Sequence, residues 1–277
     1  MKAEYPIALL CESLGVSRSG YYAWCSRRPS ERQRRDAQLS QEILSIHAAS
    51  RQTYGSLRIT AELQAAGQPV GRRRVMRLMR QKHLQGRRRR RWRPGTTDSG
   101  HCRPVAPNRL LGGVQPVKPN QLWVTDITCV STVQGWLYVA AVLDRYSRRL
   151  IGWAFDQAQG TALCVRALEM AARHRRPPPG LVHHSDRGAQ YASDEYQVGL
   201  ERIGAVASMS RSGNCYDNAF IEAFWSTMKL ECIEGRRFAT REQASLALFD
   251  YIESFYNRSR RHSSLGYLSP VAFEQNQ

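Results

Sequence analysis

The sequence predicts an α/β fold, a mixed sheet flanked by helices, preceded by an all-α helix-turn-helix region. Three observations lead there. After Pro119 the apolar periodicity changes from three- and four-residue steps to near-continuous β-branched and aromatic runs. Charge is divided unevenly: residues 1–115 carry 23 Lys and Arg against 7 Asp and Glu, a net +16 of the +18 on the 277-residue chain. Between the two halves, residues 96–118 are rich in Pro, Gly, Thr and Asn and read as a linker.

Taken in order, "IALLCESLGVSRSGYYAWCSRR" reads as two short helices around a glycine turn, a helix-turn-helix-like segment over residues 1–35. Ser17 suits the N-cap of the second helix, and Arg18, Ser19, Tyr21 and Tyr22 suit a groove-facing surface. Residues 36–49 form a third amphipathic helix. "YGSLRITAELQAAGQPVGRRRVMRLMRQKHLQG" gives two more, interrupted between Gly67 and Gly71. Val75, Leu78, Met79 and Leu84 point inward in the last of these, while Arg72, Arg73, Arg74, Arg77 and Arg80 cover the remaining face. A short helix, a glycine-containing turn and an arginine-clad helix make the helix-turn-helix or winged-helix pattern, so residues 36–95 read as a basic DNA-binding domain. The run Arg87, Arg88, Arg89, Arg90 and Arg91 repels itself and reads as extended chain that meets phosphate. Trp92 within it suits stacking on a base or anchoring the linker.

Beyond the linker, "LWVTDITCVST", "GWLYVAAVLD" and "RRLIGWAF" read as three meandering strands. "TALCVRALEMAARHRR" is helical, "GLVHHSD" a short buried strand, "SDEYQVGLERIG" a helix, "AVASMS" a strand and "AFIEAFWSTMKLE" a final helix. Residues 119–235 thus form an α/β sandwich, and residues 236–277 a basic helical extension.

Composition narrows the function. A basic half joined to a nearly neutral half suggests that one part grips a polyanion while the other does something else. Nucleic acid fits best, because each neutralised phosphate releases counterions. The arginine-rich stretches lack the large apolar face of an interfacial helix, no apolar run approaches a membrane span, and nothing resembles a secretion signal. Seven scattered cysteines without a C-x-x-C pair argue against a disulfide framework or zinc ribbon and for a reducing, cytoplasmic interior.

Three carboxylates carry the chemistry. Asp126 interrupts the strand "WVTDITCV", and Asp186 terminates "LVHHSD" before Arg187-Gly188. An acid in a core strand is costly unless it is paired, hydrogen-bonded or on a metal. Glu222 lies on the border of a helical stripe made by Ile221, Phe224, Trp225, Met228 and Cys232. Two strands and one helix could bring these acids together on hard cations. Mg²⁺ takes oxygen ligands and keeps positions for water and phosphate, as phosphoryl transfer requires. Other residues read as structural: Asp144 in a hairpin turn, Asp217 at a helix start, and His183 and His184 alternating on a strand, where packing or substrate positioning outweighs ligation. For His262, phosphate contact and plain solvent exposure are equally matched.

Thirty-five residues separate Asp186 from Glu222, and Lys229 is the seventh residue beyond Glu222. In these features the chain resembles the DDE recombinases with a retroviral-integrase, ribonuclease-H-like core, and most closely the OrfB product of the IS-three group of bacterial insertion sequences. The segments "PNQLWVTDIT", "LDRYSRRLIGW", "HHSDRGAQYAS", "SMSRSGNCYDNAFIEAFWSTMKLE" and "YNRSRRHSSLGYLSPVAFE" carry the likeness, as do "LGVSRSGYYAW" and "YGSLRITAEL". Cys129 departs from the aromatic residue usual there and Ser56-Leu57 from the usual aromatic-Arg pair, and His101-Cys102 has no partners at ligand spacing for an N-terminal zinc module.

The resemblance implies an integrase core in which Asp126, Asp186 and Glu222 are both catalytic and metal-binding. Mg²⁺ is the expected cofactor, Mn²⁺ a substitute, and zinc has no part. Lys229 is expected to contact incoming DNA. It also implies a DNA transposase that binds terminal inverted repeats and target DNA, uses water and then a 3′-hydroxyl as nucleophiles, and forms no covalent enzyme–DNA intermediate. Expected partners are an OrfA product, by frameshift fusion or association, and further copies of the chain on DNA; no heptad segment is present, so the chain reads as OrfB alone. The expected location is the cytoplasm, at the nucleoid. Two other readings are a DNA-binding regulator derived from a mobile element, which the intact acids disfavour, and a ribonuclease-H-like nuclease, which would carry a fourth acid.

Overall fold

The computed structural model describes residues 5–87, 105–110, 115–210 and 218–276. Five helices come first: α1 (Ile7–Ser13), α2 (Arg18–Ser26), α3 (Glu31–Ala49), α4 (Ser56–Ala65) and α5 (Arg72–Gln81). Ser17 caps α2 by accepting from the Gly20 N–H, as its position suggests. Helix α3 begins five residues before the expected 36, so a domain boundary between 35 and 36 would cut it. A capping box explains the earlier start: Ser30 accepts from Gln33 N, and the Gln33 side chain returns to Ser30 N.

The sheet follows, with β1 (Leu122–Thr132), β2 (Gly135–Asp144), β3 (Leu150–Asp156), β4 (Val182–Ser185) and β5 (Val206–Met209). Its order is β3-β2-β1-β4-β5. Strand β1 is central, antiparallel to β2 and parallel to β4. Helices α6 (Thr161–Arg175), α7 (Asp194–Arg202), α8 (Ala219–Met228), α9 (Arg241–Asp250) and α10 (Pro270–Gln275) complete the chain. Short π-helical turns extend α8 over Lys229–Ile233 and α9 over Tyr251–Tyr256.

Strand alternation sorts the sheet into two faces. Trp123, Ala140, Val142, Ile151 and Ala154 pack against α6 and α7. Val124, Val139, Ala141, Leu143 and Trp153 face α8 and the α9 region. This second cluster does not stop at the core. It runs on through Leu39, Ile43, Tyr54, Ile59, Leu63, Val75, Leu78 and Met79, so α3, α4 and α5 share one apolar interior with α8. By contrast, α1 and α2 contribute to neither cluster, and Leu14 and Trp24 stay exposed.

Helix α6 lies flush on the sheet because Gly152 has no side chain. A Cβ there would sit 2.2 Å from the Ala167 carbonyl oxygen and 2.8 Å from the Ala171 methyl. Gly152→Ala should therefore force α6 off β3 and destabilise the protein by about 1–3 kcal/mol. Thermal unfolding checks this; an unchanged midpoint would show that the contact yields freely.

Candidate active site

Strand β1 brings Asp126 to the α8 face of the sheet, in step with Val124. Its parallel neighbour pairs Trp123 with His183 and Val124 with His184. Asp186 follows the last residue of β4, close enough that its charge acts on Asp126. Asp186 is held by an Asx-type turn in which its Oδ1 accepts from Gly188 N at 2.9 Å. A Cβ at Gly188 would press on the Asp186 and Gln190 side-chain oxygens, at 3.0 and 2.9 Å.

Helix α8 crosses this face and is tied to β1 on both sides of Glu222. Asn218 Nδ2 donates to the Thr125 carbonyl at 3.2 Å, and Trp225 Nε1 donates to Asp126 Oδ2 at 3.0 Å. All five stripe residues, Ile221, Phe224, Trp225, Met228 and Cys232, are buried. Each full burial of this kind contributes about 1.5–3 kcal/mol. Glu222 stays exposed at the rim. Sequence periodicity finds the stripe but not the role of Trp225, which reads there only as core. Its one usable signal is general: a buried indole N–H needs an acceptor.

Electrostatics tie the three acids to one place. Asp126 is pushed up to about 8, first by burial, then by the charge of Asp186, with Glu222 adding to the rise. The Ile127 N–H and the Trp225 indole oppose the shift by favouring the carboxylate. Even so, no three His, Cys, Asp or Glu side chains among the described residues are gathered closely enough to hold an ion as they stand. The three acids share a face and a field, not a closed cage.

The surrounding histidines are scaffold. His184 bonds Ser208 Oγ at 2.9 Å and Ser210 Oγ at 3.0 Å, joining β4 to the end of β5. His183 meets the Tyr196 hydroxyl at 3.2 Å, and burial pushes it down to about 3, so it is neutral. Asp144 is the turn residue expected, accepting from Tyr146 N and Asn120 N, with Arg175 3.4 Å away. His262 neither faces open solvent nor is set out for phosphate. Its ring packs edge-on against Tyr256, beside Arg260.

The arginines divide. Arg73 and Arg80 are exposed on α5 as expected, and Arg72 reaches Ser56 Oγ at 3.4 Å. Arg74 and Arg77 instead hold Asp36 on α3, at 2.8 and 2.6 Å. Arg87 is exposed in irregular chain, and its guanidinium donates to the Leu230 and Glu234 carbonyls at 2.6 and 3.2 Å. These carbonyls end a helical run, where a cation is favoured. Arg88, Arg89, Arg90, Arg91, Trp92, His101, Cys102 and Asp217 lie outside the described residues. Lys229 is half-exposed at the junction of α8 and its π turn.

Comparison with known proteins gives the same architecture a family. Integrase core domain models match residues 116–215 and 204–270, and an HTH-like domain model matches residues 33–92. The chain is 41% identical over 275 residues to the transposase InsF for insertion sequence IS3A of Escherichia coli K12, covering 99% of this chain and 95% of that protein. The chain belongs to the integrase-core transposases of bacterial insertion sequences. An uncharacterized 31 kDa protein of insertion element IS600 from Shigella sonnei is 47% identical over 266 residues, covering 96% and 97% of the two chains. Among solved structures, the simian T-cell lymphotropic virus intasome in complex with a PP2A regulatory subunit aligns at TM-score 0.49 and 14% identity, covering 84% of this chain and 74% of that one. The HTLV-2 integrase catalytic core in complex with magnesium aligns at 0.44 and 13%, covering 58% and 99%.

The transposase should show the strain of Asp126 in its stability. An unfolded Asp ionises near pH 3.9, whereas the folded one does so only near 8. Between those values the native state holds the extra proton, so stability falls as pH rises through about 8. In chelator-treated protein, Asp126→Asn should flatten that decline and raise stability at pH 8 by on the order of 2 kcal/mol. Denaturant melts at several pH values check this; parallel curves for parent and variant would contradict it.

Proposed function

We propose that this transposase cuts the ends of its element and joins them to target DNA at Asp126, Asp186 and Glu222, with a divalent cation held by these carboxylates. The observation that carries the reading is that the helix bearing Glu222 is bonded through Trp225 to Asp126 at 3.0 Å, with Asp186 fixed by its Gly188 turn and near enough for its charge to help raise Asp126. A strand-borne acid kept beside like charges suits a cation, and an all-carboxylate donor set suits Mg²⁺, or Mn²⁺ in its place, over zinc. When bound, such an ion activates the attacking oxygen and offsets charge on the leaving one.

The chain's own residues supply position. Trp225 and the Ile127 N–H hold Asp126 as an acceptor, Gly188 fixes Asp186, and the α8 stripe holds the helix from which Glu222 reaches the rim. Lys229 lies two helical turns beyond Glu222, about 10 Å along the axis, too far to share an ion and placed to meet a phosphate of the DNA end. Arg73 and Arg80 read or grip the terminal repeats, with Arg72 at their border. Arg74 and Arg77 shape the α5 face through Asp36, while Arg88 to Arg91 meet backbone phosphate. The working form on DNA is a homo-oligomer that also engages an OrfA product. No described helix is long and apolar enough to cross a membrane.

Single changes Asp126→Asn, Asp186→Asn and Glu222→Gln should lower strand transfer on the order of 10²–10³-fold, the scale of losing one preorganised electrostatic group. End binding, measured by anisotropy, should be nearly unchanged. A variant that still joined DNA at the parental rate would remove its residue from the site. Lys229→Ala should weaken end engagement, Lys229→Arg should restore much of it, and Lys229→Glu should be worse than Ala. Equal rates across the three at two salt concentrations would make Lys229 ordinary surface.

A further inference from the structure

The helical run that carries Glu222 continues through the π turn to Glu231, which is only 4% exposed. Glu231 is the hub of a junction. Arg260 grips it with two bonds of 2.7 Å, and the Tyr251 hydroxyl donates to it at 2.8 Å. From the helical domain, Arg58 on α4 approaches the same carboxylate at 3.7 Å and donates to the Arg261 carbonyl at 3.0 Å.

More ties cross between the same elements. Arg261 pairs with Glu62 of α4 at 2.7 Å, and its N–H donates to the Tyr54 hydroxyl at 2.7 Å. Arg51, just after α3, pairs with Asp250 at 2.6 Å and lies over the Phe255 ring. Arg87 closes the far side on Leu230 and Glu234.

Stability alone does not account for this set. A buried ion pair contributes little more than well-packed apolar groups of the same volume. What it adds is direction: a two-pronged guanidinium–carboxylate bond fixes angle and register, whereas apolar faces can slide. The junction therefore forms one stiff path. It runs from the exposed Arg73 and Arg80 of α5, through the α4–α5 core, to Arg58, Glu231 and α8 with Glu222.

We propose that the Glu231 junction is a built-in ruler that fixes the distance along DNA between the segment held by α5 and the bond cut at the acids. The inference rests on the proposed function of both sites. The partner it reads is duplex DNA in one phase. Two inserted base pairs would move the cut by about 7 Å and turn it by roughly a fifth of a helical turn, which a stiff junction cannot follow.

The test uses the full chain and duplexes carrying one terminal repeat of the element that encodes it, at native spacing or with two base pairs inserted before the cut. Asp250→Arg sets two arginines against each other at the exposed edge of the junction without emptying its buried centre. Arg51→Asp with Asp250→Arg restores the pair in reverse. The parent should cut the native duplex at one bond and discriminate against the insertion. In Asp250→Arg that discrimination should fall about fivefold, the ratio set by roughly 1 kcal/mol of lost coupling, with end binding unchanged, and the double variant should recover it.

A second readout needs no cleavage. A truncated duplex that stops short of the cut should slow hydrogen exchange in Ala219–Met228 of the parent and of the double variant, but not of Asp250→Arg. Unchanged discrimination in Asp250→Arg, exchange in α8 indifferent to the truncated duplex in the parent, or failure of the double variant to recover would each overturn the ruler. A parent that binds but cuts neither duplex would instead count against the proposed function, and the exchange readout would still decide the ruler.

Discussion

Placing a carboxylate in the middle strand of a mixed sheet is the constraint on which the rest of this molecule depends. Asp126 can sit in β1 only because α8 brings it a donor, and α8 can do so only if it packs tightly on that face. The indole of Trp225 serves both ends at once, with its rings in the apolar stripe and its N–H on Asp126. Asn218 fixes the start of the same helix to Thr125, one residue away. Glu222 lies between these two bonds along α8, so its place at the rim follows from how its neighbours are anchored. The sheet order serves the same end: β4, parallel to β1 and next to it, ends at Ser185 and delivers Asp186 to the neighbourhood of Asp126.

That dependence explains what could be read from the sequence. Strands and helices of the core are legible because each has one dominant pattern, as in the near-continuous apolar run of β2 or the stripe of α8. The acids are legible because they violate that pattern. The arginine face of α5 is legible as a face but not in its parts. Arg74 and Arg77 look like Arg73 and Arg80 until Asp36, 38 residues before Arg74, is found between them. Arg87 begins a five-arginine run, and nothing local says that it ends on the carbonyls of Leu230 and Glu234. Glu231 is less legible still. In "MKLECIE" it resembles any charged flank, and only the fold places Arg260 and Tyr251 around it.

Buried Glu231 and half-buried Asp126 treat charge in opposite ways. Glu231 meets two guanidiniums and a hydroxyl, and that arrangement is closed: Arg260 is held above its ordinary range by the carboxylate it grips, which outweighs the opposing cost of burial. Asp126 meets one indole, one backbone N–H and two like charges, and that arrangement is open. The first is what a joint needs, since a satisfied network has one geometry. The second is what the proposed cation site needs, since unrelieved repulsion is free energy that a cation would release on binding.

Eight residues along one continuous helical run separate Glu222 from Glu231, so the open site and the closed joint share a rod. A helix is stiff along its axis, and its apolar stripe here is pressed into the sheet, leaving little freedom for one end to move alone. On the proposed cation site, a change that tilts α4 against the junction would reach Glu222 through α8, and a cation drawing Glu222 toward Asp126 and Asp186 would pull back on the joint. Linkage makes this exchange reciprocal: if DNA held by the helical domain biases the position of Glu222, filling the carboxylate site biases the grip on DNA by the same factor. The net +16 of residues 1–115 then does more than attract a polyanion. On the proposed function its exposed Arg73 and Arg80 meet DNA, while Arg51, Arg58 and Arg87 bond to the catalytic half, so the grip on one would be transmitted by the grip on the other.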